Sequence, residues 1–137
     1  MEFKRINLRL PSDRDMLLII RMTTAGVMSR AGLTLDESDD MKMAVDEACM
    51  LLMMQHAANA VALNLAYSYS GQEVIVQISC ETRECTSGQS VDQTTMEVIR
   101  CILEAMVDEA IIIPCEDGAV ASVQLIKRIP DRRRTTL

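Results

Sequence analysis

Residues 41–55 constrain the fold more than any other stretch. Met41, Ala44, Val45, Ala48, Leu51, Leu52 and Gln55 recur at three-and-four spacing, which only a helix can place on one face. Thr34 and Asp36 mark its start, with Glu37 and Asp39 in the first turn, where carboxylates complement the helix dipole. The pattern predicts a helix running to His56 or Ala58. From Met50 to Met54 every residue is apolar, which predicts burial on all sides there rather than one dry face.

Around this helix the other elements follow from their periods. Phe3, Ile6, Leu8 and Leu10 alternate imperfectly with polar neighbours over residues 2–10 and predict a strand ended by Pro11. Ser12 stands as an N-cap with Asp15 three residues on, and Met16, Ile20, Val27 and Ala31 predict a first helix of roughly twenty residues reaching Gly32. Residues 60–68 and 73–80, joined by Tyr69-Ser70-Gly71-Gln72, read as a hairpin. Met96, Ile99, Leu103 and Met106 or Val107 predict a third helix over 92–109. Residues 110–114 and 119–129 make a second hairpin across Glu116-Asp117-Gly118. The order strand, helix, helix, two strands, helix, two strands predicts an α+β two-layer sandwich, a mostly antiparallel sheet with helices on one face. There is no internal repeat and no linker, so residues 1–129 are expected to form one domain, with residues 130–137 as a basic tail.

Composition excludes several classes. At 137 residues with 49% hydrophobic content, the chain fills one core. No run approaches the roughly 20 apolar residues that cross a bilayer, and the first fifteen residues carry charges throughout, so the expectation is a cytoplasmic protein without membrane contact. Lys127, Arg128, Arg132, Arg133 and Arg134 against Asp131 give a local +4, which leaves −10 on the rest of a chain with net charge −6. An acidic body argues against nucleic acid as partner, because binding it needs a face that neutralises phosphates. The five cysteines (Cys49, Cys80, Cys85, Cys101 and Cys115) lack metal-ligand spacing and are expected as thiols rather than a Cys80–Cys85 bridge; no metal site is expected. His56, the lone histidine, reads as a helix-end residue without a partner. Most of the eleven methionines fall at core spacing.

Residues 10–49, LPSDRDMLLIIRMTTAGVMSRAGLTLDESDDMKMAVDEAC, with Arg9 before them, resemble the small anti-sigma factors that double as serine kinases, a branch of the GHKL superfamily. The segment ILEAMVDEA at 102–110 is similar to the stretch of that family where a helix runs into a strand. The resemblance implies a Bergerat, histidine-kinase-like ATPase fold, a homodimer, a sigma-factor partner, and ATP-dependent phosphorylation of an antagonist on serine.

The family's N-box, E-A-x-x-N, supplies a general base and a magnesium ligand. Here Glu47-Ala48-Cys49-Met50-Leu51 keeps the Glu, but Leu51 offers no oxygen to a hard cation. Helix geometry puts Glu47, Met50 or Leu51, and Met54 along the strip that would face a nucleotide. Where the first glycine box belongs stand Ser79, Cys80, Glu81, Thr82, Arg83, Glu84 and Cys85, with Glu81 as stand-in for the adenine-binding Asp. Glu97, Val98, Ile99, Arg100 and Cys101 replace the second, and only Gly88 lies in the lid region. Without glycine, backbone cannot approach phosphate closely.

The resemblance places a partner surface on the exposed side of the first helix and the loop after it, including Arg21, Arg30 and Asp36. The leading expectation is an interaction protein that binds a sigma factor or an anti-sigma-factor antagonist with no cofactor. The alternative is an active serine kinase with ATP and magnesium, Glu47 as base and Glu81 on adenine. A third reading is a dimerisation module.

Overall fold

A computed structural model of the chain describes residues 2–83 and 92–131. Strand β1 (Lys4–Leu10) leads through a 3-10 turn at Arg14–Met16 into helix α1 (Leu17–Ala31), then helix α2 (Leu35–Gln55). The hairpin β2 (Ala60–Tyr69) and β3 (Glu73–Thr82) follows, then helix α3 (Gln93–Glu104) and the hairpin β4 (Glu109–Pro114) and β5 (Val120–Arg128). The strands form one sheet in the order β1-β2-β3-β5-β4, with every pair antiparallel. The expected two-layer α+β architecture is observed.

Strand register explains why the helices cover one face. Tyr67, Val76, Leu125 and Ala110 lie in one row across the sheet, and Leu65, Ile78, Val123 and Ile112 in the next. All eight are buried, beneath α1, α2 and α3. The intervening row, Asn7, Ala66, Gln77, Gln124 and Ile111, points to the open face. Side chains alternate across a strand, so one face is dry and the other wet.

The ends of the elements carry the corrections. Asp13, not Ser12, caps the first helical segment: its carboxylate accepts from the Asp15 N–H at 3.0 Å, and a 3-10 turn precedes α1. The α-helix proper therefore has 15 residues rather than about twenty, and it ends at Gly32 with φ 90°. Glycine fits there because that left-handed backbone strains any residue with a Cβ. Helix α3 stops at Glu104, five residues before the expected end, and a turn over residues 105–108 delivers the chain to β4. The junction of helix and strand expected for ILEAMVDEA is present.

Candidate nucleotide site and partner surface

Helix α2 is fixed at both ends and in the middle. Thr34 and Glu37 form a reciprocal capping box: the Glu37 N–H donates to Thr34 Oγ1 at 3.2 Å and the Thr34 N–H to Glu37 Oε1 at 2.9 Å. At mid-helix the Arg21 guanidinium of α1 meets Asp46 Oδ2 at 2.7 Å. All seven residues of the stripe from Met41 to Gln55 are buried.

At the C-terminal end two polar side chains converge on Val120, the first residue of β5. Gln55 Oε1 accepts from the Val120 N–H at 2.8 Å, and His56 Nε2 lies 2.8 Å from the Val120 carbonyl. A carbonyl can only accept, so Nε2 carries the proton and Nδ1 is the bare nitrogen. His56 thus has a partner, contrary to the sequence reading, and caps α2 while buried. Gln55 on the buried stripe was the available signal, since a buried amide needs a partner. Among the described residues, Gln55 Nε2 and His56 Nδ1 have none.

The N-box positions separate. Glu47 is exposed on α2 and forms no ion pair among the described residues. Leu51, one turn later, is 5% exposed and belongs to the core. The expectation of burial all round from Met50 to Met54 fails at both ends. Met50 is half-buried and Met54 exposed, because that flank of α2 faces away from the sheet. Met50, Met53 and Met54 line a cavity of about 440 Å³ with Ser12, Asp13, Arg14, Ala57 and Ala60.

Glu81 is not part of the same site. Leu63 and Ile78 face the helices, so the alternation turns Glu81 to the open side of the sheet, where Arg9 Nε donates to its Oε2 at 2.7 Å. Hydrogen bonds from Arg9 and then Asn64 hold the Glu81 carboxyl below the usual carboxylate range. Glu47 and Glu81 therefore stand on opposite faces of the sheet.

At the second glycine-box positions, Glu97 to Cys101 lie inside continuous helix rather than in a loop before one. The N-terminus of α3 is capped by Asp92, whose carboxylate accepts from the Thr95 N–H at 2.7 Å. That hydrogen bond lowers its pKa. Glu84, Cys85 and Gly88, and with them the Cys80–Cys85 pair, lie outside the described residues, as do the tail arginines 132–134. No group of three or more His, Cys, Asp or Glu among the described residues is arranged to hold a metal ion. No helix among them is long and apolar enough to cross a membrane.

Of the three partner-surface residues, Arg21 is committed to Asp46. Arg30 sits in the last turn of α1, and Asp36 is exposed in the first turn of α2. Nine residues separate Arg21 from Arg30, about two and a half turns, so they project from opposite sides of α1. Arg30 and Asp36 flank the connection between the helices, while Arg21 lies midway along them.

No family model matches the sequence. Among characterised proteins, the serine-protein kinase RsbW of Bacillus mycoides (strain KBAB4) is 41% identical over 56 residues, which cover 41% of this chain and 34% of that protein. Those of Bacillus cereus (strain AH187) and Bacillus thuringiensis (strain Al Hakam) are 42% identical over 55 residues, with 40% and 34% covered. The matched stretch spans about a third of the length of these relatives. Through that stretch the chain is similar to the serine-protein kinases RsbW, and the two-layer α+β sandwich just described is consistent with that likeness.

Proposed function

We propose that the chain is an anti-sigma-factor-like regulatory protein that binds a sigma factor or another partner-switching component through protein contacts and does not hydrolyse ATP. The observation that carries this reading is Leu51. The position from which the family offers a magnesium ligand here holds a side chain inside the core. Three further observations support it. Glu81 lies across the sheet from Glu47, tied to Arg9. One N-terminal donor of α3, the Thr95 N–H, is met by the Asp92 carboxylate, whose charge would repel phosphate. The glycine-box positions at 97–101 are helical. The residues present do not fit magnesium nucleotide as the family holds it.

The same reading takes residues 1–129 as one histidine-kinase-like domain followed by the basic tail 130–137, working as a cytoplasmic homodimer. The alternative, an active serine kinase, is favoured by one feature: Glu47 is exposed and unpaired among the described residues, as a general base would be. It would need an adenine contact other than Glu81.

Thermal unfolding with and without millimolar ATP and magnesium separates the two, because a ligand of the native state raises stability by RT ln(1 + [L]/Kd). An unchanged melting temperature is the expected result. A magnesium-dependent rise would overturn the proposal and return Glu47 to the role of base.

A further inference from the structure

Leu18, Ile19, Met22, Leu35, Met43 and Met54 are nearly half of the exposed large apolar side chains among the described residues, and all lie on α1 and α2 or at their ends. Their exposures reach 64% at Leu18, 68% at Met22, 57% at Met43 and 64% at Met54. Helical spacing gathers them. Leu18 and Met22 are one turn apart on α1, and Met43, Glu47, Met50 and Met54 form one ridge of α2 at three-and-four spacing. The Arg21–Asp46 pair bridges the two helices between these rows. The 440 Å³ cavity beside Met50 and Met54 continues the surface beyond the start of α1.

The rim of this surface is acidic. The α2 ridge extends toward its N-terminus through Asp40 and Asp36, both exposed, and Glu47 interrupts its methionines. None of these three carboxylates forms an ion pair among the described residues, and Lys42 is taken by Asp39 at 2.9 Å. Flexible thioethers repack against varied apolar shapes, while unpaired carboxylates beside them select the charge of whatever docks.

From this we infer that the outer face of α1 and α2 docks an amphipathic helix of a partner protein, one whose apolar ridge is flanked by lysine or arginine. The inference rests on the reading of this chain as a partner-binding protein and adds the chemistry of the partner. The partner's apolar side chains cover Leu18, Met22, Met43 and Met54, and its basic flanks meet Asp40 and Glu47. Because these charges lie at the rim, they act on partner selection and association rate, and salt weakens them.

The probe is a synthetic amphipathic helix of leucine and lysine, compared with a leucine and glutamate peptide of the same apolar pattern. Methyl NMR on the full chain reads the contact through its methionines. The expected result is saturable shifts at Met22, Met43 and Met54, with the lysine peptide at least tenfold tighter. Asp40→Lys/Glu47→Lys should invert that preference, and Met22→Ser/Met43→Ser should weaken binding at least tenfold. Both double variants alter only exposed side chains, so a folded spectrum is expected for each. Equal binding of the two peptides would overturn the inference, as would shifts confined to Met96 and Met106, which report on α3. Titrating magnesium ATP into the same sample keeps the two readings apart. A nucleotide response refutes the absence of a nucleotide site, whereas no peptide response alongside a silent nucleotide refutes only the docking surface.

Discussion

Replacing Leu51 with asparagine restores the side chain that the family's N-box carries, and it tests whether this position faces a pocket or the core. Leu51 is 5% exposed. Losing its burial costs about 1.5–3 kcal/mol. Placing an amide there without partners costs about 1–3 kcal/mol more. The expected loss is therefore about 2.5–6 kcal/mol, a large share of the roughly 5–15 kcal/mol that holds a domain together. In a domain of this size each kcal/mol moves the melting temperature by about 3–5 °C, so a fall on the order of 10–30 °C is expected. Met54→Asn adds the same amide at an exposed position and should change stability by no more than about 0.5 kcal/mol. Urea unfolding of the two variants beside the parent measures both. If Leu51→Asn cost less than about 1 kcal/mol, position 51 would be facing water, and the main support for a closed magnesium position would be gone.

Other expectations follow from buried polar groups. The Thr24 hydroxyl and the Tyr67 phenol lie 2.7 Å apart in the core, so Thr24→Val or Tyr67→Phe alone should cost about 1–3 kcal/mol, and the pair together less than the sum; a double-mutant cycle with no coupling would refute this. Burial pushes the Cys49 thiol and the Tyr67 phenol up to about 12, from ordinary values of 9.0 and 10.0. The unfolded chain loses those protons first, so their contribution is complete below about pH 9. It then falls as pH rises toward 12, at up to about 1.4 kcal/mol per pH unit for each group; urea midpoints that stay level between pH 8 and 11 would contradict it. His56→Ala removes the bond to the Val120 carbonyl and leaves a void, at a cost of about 2–3 kcal/mol. Amide exchange should accelerate in the β4–β5 hairpin before the β2–β3 hairpin; uniform acceleration would argue against a local anchor.

The sheet and α2 were legible because periodicity and burial agree there. Residues spaced three and four apart from Met41 to Gln55 became the buried face, and both hairpins formed around their Gly-containing turns. Helix starts and stops were less legible. Ser12 and Asp13 are both competent caps, and only the course of the chain after Pro11 decides that Asp13 reaches the Asp15 N–H. The methionines of 50–54 showed the limit of composition: an all-apolar segment has no polar residue to mark its outer side, so the exposure of Met54 could not be read in advance. Glu81 shows a different limit. Motif position suggested a shared site with Glu47, but strand parity, readable from Val76 and Ile78, assigns it to the other face. His56 was misread because its partner at Val120 is supplied by tertiary structure alone.

The sheet order also bears on how the chain reaches its fold. The pairs β2–β3 and β4–β5 are each closed by a short turn, whereas β1 finds its place beside β2 only after both long helices have been passed. Contacts that close short loops form at lower entropic cost, so the two hairpins are expected to form early and β1 to add late at the sheet margin. Until β1 arrives, one edge of β2 presents unpaired backbone groups beside Leu63, Leu65 and Tyr67. In such an interval pairing with another strand is expected to be easiest. Lys4, Arg5 and Arg9 guard the edge that β1 leaves once it has docked, since charge on a sheet margin discourages the next chain from adding to it.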